Sequence, residues 1–416
     1  MAATHIIRKY LVVGIILLFI GTSIIPPTTS EQTGGKKIIM VDDEPGDGDY
    51  SSIKEALNHS DPGDIIEVYS GTYTENDIRI FQPINIIGIP HELGAGNDTG
   101  KPVIKHLQQG NWSYFIIRIV NTEKVSINGC VFRPYNESDN VQVIIMVSSN
   151  YCTFHNNDIY GNSLHGLGFD VWDCNNTAIL NNTITNCFDG IRVFHSYNMT
   201  IFNTTITNIC NGVDVDLPLS RIYNNCSILN NCITNCSDQG IFAKGSGITI
   251  SQNVIKNCSG TGISFSGFSH IIMNRLYNCK SGMDISCEGG NIAGNLVSDC
   301  SVGVNIICES NNNTIQNNEL RNNSLGMTIH EPGSLRVKVT QNNFIHNLKQ
   351  VVITAVIPAF SNYIFRGNYW NHSLSHPKPI ICYGLLIIFP LGRFIGIPVP
   401  WICFDLTPAQ HPYEIP

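Results

Sequence analysis

Asp170, Arg192, Asp214, Asp216 and Lys244 stand two or four residues after four glycines, Gly166, Gly190, Gly212 and Gly240. If each glycine opens a short strand, the positions two and four beyond it share the outer face, because side chains alternate along a strand. Five ionisable groups then gather on neighbouring strands, and they are the candidates for catalysis. Asp214 and Asp216 would lie about 7 Å apart, inside the roughly 6.5–9.5 Å that suits the acid and base of an inverting glycosidase. Arg192 offers a planar fork matched to a uronate carboxylate. Trp172, Phe194 and Phe242 offer rings for a sugar to stack on, with His195 beside them. Asp170, Asp214 and Asp216 are also oxygen donors of the kind calcium takes. On a merely solvated face the same residues would form Arg–Asp pairs worth about 0–1 kcal/mol each.

The elements that position these groups come from a repeat. Asn182-Thr-Ile-Thr-Asn186, Asn231-Cys-Ile-Thr-Asn235, Asn253-Val-Ile-Lys-Asn257, Asn274-Arg-Leu-Tyr-Asn278 and Asn318-Glu-Leu-Arg-Asn322 share the pattern N-x-apolar-x-N. Its last position falls at Asn186, Asn208, Asn235, Asn257, Asn278, Asp299, Asn322 and Asn347, with intervals of 21 to 27 residues. A second column, glycine followed by an apolar residue, runs through Gly166, Gly190, Gly212, Gly240, Gly262, Gly282, Gly303 and Gly326. Within each unit the period is two, as in Gly212-Val-Asp-Val-Asp216, which means short half-buried strands rather than helices. Leucine-rich repeats need more leucines than these units hold, and a six-residue period is missing. The spacing predicts an all-β fold, a right-handed parallel β-helix of three sheets and roughly a dozen coils.

Stacked coils sit about 4.8 Å apart, so like residues form ladders and apolar side chains fill a continuous core. An asparagine at a sharp turn tolerates left-handed backbone geometry, and its amide can donate and accept along a column of its own kind. Cys187, Cys210, Cys236, Cys258, Cys279 and Cys300 follow the turn residue by one or two places, and Cys287 and Cys308 form a second short column. They read chiefly as small buried hydrophobes, although the coil spacing also falls within disulfide range.

Composition narrows the function. Charged residues make up 13%, about half the average share of roughly 25%, and 47 asparagines and 36 glycines take their place. The net charge of −8 leaves no basic footprint for nucleic acid. Residues 1–30 read as a signal peptide or an uncleaved N-terminal anchor, with Arg8 and Lys9 before an apolar run to Ile20. That predicts a secreted or cell-surface protein whose only route to a membrane is this segment. Fourteen Asn-x-Ser/Thr sequons, among them Asn111, Asn136, Asn198 and Asn371, fit an exported glycoprotein. Seven Met and 13 His without a Met-x-x-Met or His-x-His cluster give no basis for a copper site. No cofactor is required, and calcium is the ion the carboxylates suit.

The ends add a resemblance. Gly46-Asp-Gly-Asp-Tyr-Ser-Ser-Ile-Lys-Glu-Ala-Leu57, Gly63-Asp-Ile-Ile-Glu-Val-Tyr-Ser-Gly-Thr-Tyr73 and Ile84-Asn-Ile-Ile-Gly88 resemble the N-terminal entry of the pectin-lyase-like superfamily, with a short capping helix. The Asn-rich units look like NosD-type, carbohydrate-binding and sugar-hydrolase repeats, and Asn368-Tyr-Trp370 is similar to the signature that closes them. The tail, Pro400-Trp-Ile-Cys-Phe-Asp405 with Pro412-Tyr-Glu-Ile415, looks like that of an archaeal surface-protein subgroup. The implied organisation is a cap and first coils over 38–104, repeats over 105–371, and a Pro-rich C-terminal cap over 372–416. The superfamily hosts lyases, hydrolases, esterases and non-enzymes alike. The chain lacks the paired Asp with His-Gly of polygalacturonases and the acidic calcium cluster with downstream arginines of pectate lyases. The reading is therefore recognition of a polysaccharide or cell-surface glycan without cleavage, with Asp214 and Asp216 both ionised on an open face. The alternatives are a polysaccharide lyase or glycoside hydrolase acting on uronate-containing glycans, and a purely structural surface scaffold.

Overall fold

Three short strands make each coil, and a residue in the left-handed region turns the chain between them. Asn186, Asn208, Asn235, Asn257, Asn278, Asp299 and Asn322 all have φ between 52° and 61°. A second series, Asn181, Asn203, Asn230, Gln252, Met273, Asn317 and Gln341, does the same at another corner. The last residue of the first series is His346 (φ 51°), not Asn347, which turns inward and is buried.

The computed structural model describes residues 36–416 except 76, 107–114, 135–140, 162–165, 218–224, 308–309, 332–335, 358–361, 372–373, 375, 389–394 and 416. The expected targeting segment 1–30 lies outside the described residues, as do Asn111, Asn136 and Cys308. No helix among the described residues is long and apolar enough to cross a membrane.

Thirteen strands from Thr72–Glu75 to Tyr369–Trp370 stack in parallel as one sheet. Twenty-eight more form the other two faces, which join at the C-terminal end where Lys378–Ile388 pairs antiparallel with Ile395–Asp405. The fold is thus an all-β, three-sheet parallel solenoid of about a dozen coils. The one helix among the described residues, Ile53–Asn58, is capped by the Ser52 hydroxyl, which accepts from the Glu55 N–H, and it buries Ile53 and Ala56 against the first strands. The Glu75 carboxylate accepts the N–H groups of Ile53 and Lys54, the first helical donors.

Ile184, Ile206, Ile233, Ile255 and Leu276 lie in register on successive coils and are fully buried. Gly190 answers a different constraint. A Cβ there would sit 2.6 Å from the carbonyl oxygen of Gly212 on the next coil and 2.9 Å from the Ile206 side chain. The register also moves the start of the column. Leu167 pairs with Asp189 and Phe169 with Ile191, so Gly168 rather than Gly166 is the partner of Gly190.

The two asparagines of the N-x-apolar-x-N unit do different work. The last is the left-handed, exposed one, and its amide bonds its neighbour across coils, as when Asn257 Nδ2 donates to Asn235 Oδ1 at 3.1 Å. The first is buried and belongs to a second ladder. Asn231 donates to Asn253, Asn253 to Asn274, Asn274 to Asn295, Asn295 to Asn318, Asn318 to Asn342 and Asn342 to Asn368, all at 2.9–3.1 Å. Each Oδ1 also accepts the backbone N–H of the preceding asparagine. Asp405 ends the series. Its Oδ2 accepts from the Asn368 N–H and Nδ2 and from Trp370 Nε1.

The cysteine column is Cys187, Cys236, Cys258, Cys279 and Cys300, all buried thiols outside any disulfide. Cys210 does not belong to it. Ile209 pairs with Cys236 and takes the inward place, so Cys210, one residue later, is only half-buried.

Two outcomes follow from this packing. Asn274→Ala leaves buried donors and acceptors unpaired on two coils and should lower stability by about 2–4 kcal/mol. Asn257→Gly keeps the left-handed turn and should cost about 1 kcal/mol or less. Urea unfolding of both variants checks the contrast, and equal losses would refute the inner ladder's role. In native alkylation followed by mass mapping, exposed Cys232 should react first. Cys187 should be among the last, since burial pushes its thiol up to about 12. Ready labelling of Cys187 would contradict this packing.

Candidate functional site

Four adjacent strands, Leu167–Trp172, Asp189–Phe194, Asn211–Asp216 and Ile241–Lys244, carry the candidate residues on one sheet. Their inward residues, among them Val171, Val193, Val215 and Ala243, fix the register by filling the core. The partners then fall into two rows along the solenoid axis. One row is Asp170, Arg192, Asp214 and Phe242, and the other is Trp172, Phe194, Asp216 and Lys244. Asp170 therefore stands beside Arg192 rather than beside Phe194, and Trp172 stands inside the site rather than at its margin. Both differences come from the two-residue slip between Gly166 and Gly168.

The rows are tightly bonded. Arg192 grips Asp170 through two parallel bonds, Nε to Oδ1 at 3.0 Å and Nη2 to Oδ2 at 2.9 Å. Trp172 Nε1 donates to the same Oδ1 at 2.7 Å. With Asp170 only 4% exposed, this is a desolvated, charge-assisted pair, and removing either partner would strand a buried charge. Lys244 Nζ lies 3.1 Å from Asp216 Oδ1 on a more open part of the face. Trp172 and Phe194 stack with centroids 4.5 Å apart, so each ring spends one face on the other. The Arg192 guanidinium lies 5.5 Å from the Phe194 centroid. His195 is exposed in a left-handed turn with Nδ1 3.7 Å from Asp173, outside both rows.

Asp214 is the exception. Its Oδ1 is buried and has no hydrogen-bond partner among the described residues. Burial, then the charges of Asp189 and Asp216, push its carboxyl up to about 6, with Arg192 opposing them. The open face expected of this pair does not extend to Asp214, because the neighbouring coils desolvate it. Asp189, which the spacing did not single out, belongs to the same group. It is buried and its carboxyl is raised, by burial first, although Asn211 donates to it at 2.9 Å. It sits immediately before Gly190, one place outside the alternating positions. Further along, Asp284 accepts from the hydroxyls of Thr261 and Ser281 at 2.7 Å and from Asn305, extending the polar row. Asp170, Asp214 and Asp216 are not among the described acidic groups whose oxygens lie within 4.8 Å of one another. Both oxygens of Asp170 are already taken by Arg192.

A parallel solenoid with these repeats is a known architecture. The right-handed β-helix region family matches residues 97–225 and 239–371. The chain belongs to that family. No curated protein sequence matches it. Among solved structures it is similar to the catalytic unit of an α-1,3-glucanase from Streptomyces thermodiastaticus, at 12% identity and a TM-score of 0.61, over 81% of this chain and 68% of that one. It is also similar to a mannuronic acid-specific polysaccharide lyase from human gut microbiota, at 15% identity and a TM-score of 0.50, over 82% and 87%. XylC in complex with xylose matches at 11% identity and a TM-score of 0.51, over 78% and 76%. At these identities the likeness is one of fold.

The raised Asp214 carboxyl gives stability a pH dependence. The folded chain holds this proton more tightly than the unfolded one, whose aspartates titrate near about 3.9. Ionising Asp214 therefore costs stability as pH rises from about 4 through about 6, and the whole penalty stands above that window. Asp214→Asn should then stabilise the protein at pH 8 by up to about 1–2 kcal/mol, discounted because the group is partly exposed, and by nothing near pH 3.5. Denaturation at both pH values tests this, and a gain independent of pH would refute it.

Proposed function

We propose that the protein recognises polysaccharide along the Asp170–Lys244 face, by hydrogen bonding to sugar hydroxyls and without cleaving the chain. The observation that carries this reading is Asp214 Oδ1, a buried carboxylate oxygen with no donor, set in a row of hydrogen-bonding groups. A buried acceptor left unpaired costs about 1–3 kcal/mol, which a ligand hydroxyl returns on binding. Beyond Phe242 the same row continues through Ser264, Asp284 and Asn305 at the coil spacing, a repeat suited to successive sugar units. The glucanase and the lyase of similar fold act on polysaccharide by name, which supports the ligand class. The export segment expected over residues 1–30 supports recognition outside the cell, as a secreted or surface-anchored protein.

Charge sets the kind of glycan. Arg192 is committed to Asp170 and Lys244 to Asp216, so Asp189 and Asp214 add negative charge that no ion pair among the described residues offsets. The uronate carboxylate expected to dock on Arg192 meets this acidic ground at neutral pH. Neutral, hydroxyl-rich sugars suit it better, and acidic ones gain only as Asp214 takes up its proton near pH 6.

A second reading rests on the same carboxyl. An acid raised to about 6 with a second carboxylate, Asp216, two residues along the same strand is a pairing that glycoside hydrolysis uses. A glycan array combined with reducing-sugar and unsaturated-product assays separates the two. The expected result is binding with no product, weakened about tenfold or more by Asp214→Asn and Asp216→Asn. Cleavage that Asp214→Asn abolishes while affinity survives would overturn the binding reading in favour of a hydrolase or lyase.

A further inference from the structure

A second group of acids lies far from this face, at the N-terminal end of the solenoid. The segment after strand Ile38–Val41 contributes Asp42, Asp43 and Glu44, and the segment after strand Asn85–Gly88 contributes Glu92 and Asp98. One oxygen each from Asp42, Asp43 and Glu44 lie within 4.8 Å of one another, and so do one each from Glu44, Glu92 and Asp98. Glu44 thus joins two overlapping sets.

The decisive feature is the state of these oxygens. Asp42 is fully buried. Its Oδ1 accepts the Glu44 N–H at 3.1 Å, while its Oδ2 is buried with no hydrogen-bond partner among the described residues. Asp43 repeats the arrangement, with Oδ2 accepting the Thr72 N–H at 2.9 Å and Oδ1 buried without a donor. Glu44 Oε2 is a third such oxygen. The Glu92 carboxylate is oriented by the N–H groups of Leu93 and Asp98, at 3.1 and 2.9 Å. Backbone donors hold the carboxylates in place, and three buried acceptors remain where like charges crowd. None of the ion pairs among the described residues involves these five acids.

Two glycines let the group close up. A Cβ on Gly71 would overlap the Asp43 carboxylate, and one on Gly96 would come within 2.5 Å of Glu92 Cδ and 2.9 Å of Glu44 Oε1. The chain has therefore spent glycines to bring acids together rather than apart. Buried carboxylate oxygens of this kind are compensated by taking up a proton or by a bound cation, and a cation can serve all three at once.

We propose that this end of the β-helix holds a calcium ion, ligated by Asp42, Asp43 and Glu44 and completed by Glu92 and Asp98. Calcium takes 6–8 oxygen ligands, with carboxylates binding through one or both oxygens, whereas magnesium keeps several waters and uses one or two carboxylates. A set of five acids from two segments matches the former. The ion ties segment 42–52, which leads into the helix, to segment 89–101, so it fastens the first coil among the described residues. This site is independent of the glycan-binding face.

The test uses the full chain, stripped of metal with chelator. Calcium titrated by calorimetry in excess magnesium should bind and raise the melting temperature. Terbium in its place should luminesce on tyrosine excitation, because Tyr73 is buried near Asp42 and Asp43. Asp43→Asn and the outer Glu92→Gln should each weaken calcium at least about tenfold, while Asp214→Asn and Asp216→Asn leave it unchanged. Glu92 is partly exposed, so its variant should fold even if buried Asp42→Asn does not. No calcium uptake by the stripped wild type, or uptake that a folded Glu92→Gln and Asp43→Asn leave intact, overturns the proposal.

Discussion

The buried carboxamide ladder from Asn231 to Asn368 is the interaction on which the rest of the molecule depends. A coil of a β-helix must turn sharply three times, and each turn withdraws backbone N–H and C=O groups from the sheets while keeping them away from water. Such groups must be paired inside. An inward asparagine answers both needs. Its oxygen takes the backbone N–H and the amide of the asparagine on the preceding coil, and its own amide reaches a backbone carbonyl, as Asn274 reaches Ile250. Because every link bonds the next, the ladder is satisfied only when complete, and Asp405 satisfies the last link with a charged acceptor at the C-terminal end.

A ladder of this kind fixes the register of all three sheets at once, since a slip by one residue would reverse every side chain. The functional face inherits that precision. Asp170, Arg192 and Asp214 meet although they are 22 residues apart in sequence, because 22 residues make one coil there. The bidentate Arg192–Asp170 pair holds its fork without help from a loop. The Trp172–Phe194 stack also follows from the register, and it reads first as packing between coils. What distinguishes the face from other outward rows is the concentration of carboxylates in a chain so poor in charge.

Much of this was legible in the sequence, and the misses share a cause. N-x-apolar-x-N gave the coil length and the turns, yet it could not separate its two asparagines, since a left-handed exposed residue and a buried acceptor are spelled alike. Gly166 and Gly168 both fit a column whose period is two, so the alternation could not choose between them, and the choice moved Asp170 from one row to the other. Cys210 was misplaced for the same reason, one residue deciding between core and margin. Asp189, and the acids around Asp42, carried no periodic signal. Their meaning comes from burial and from partners on other segments, which spacing does not encode.

The same distinction bears on chemistry. Both cations of the face are already spoken for: Asp170 is cancelled by Arg192 and Asp216 is met by Lys244, so neither stands ready as a base or as a neutraliser of an acidic substrate. Proton-transfer catalysis needs groups whose proton affinities are driven apart and which both reach the scissile bond. Here two groups, Asp189 and Asp214, are displaced in the same direction, and the force displacing them is burial between coils rather than a cleft that closes over a ligand. A carboxylate desolvated by its own scaffold before any ligand arrives is poised to accept a hydroxyl. It becomes a general acid only if a leaving group is held against it. Along a solenoid with evenly spaced polar rows, each coil offers much the same grip, which favours holding a chain at many points over straining one bond.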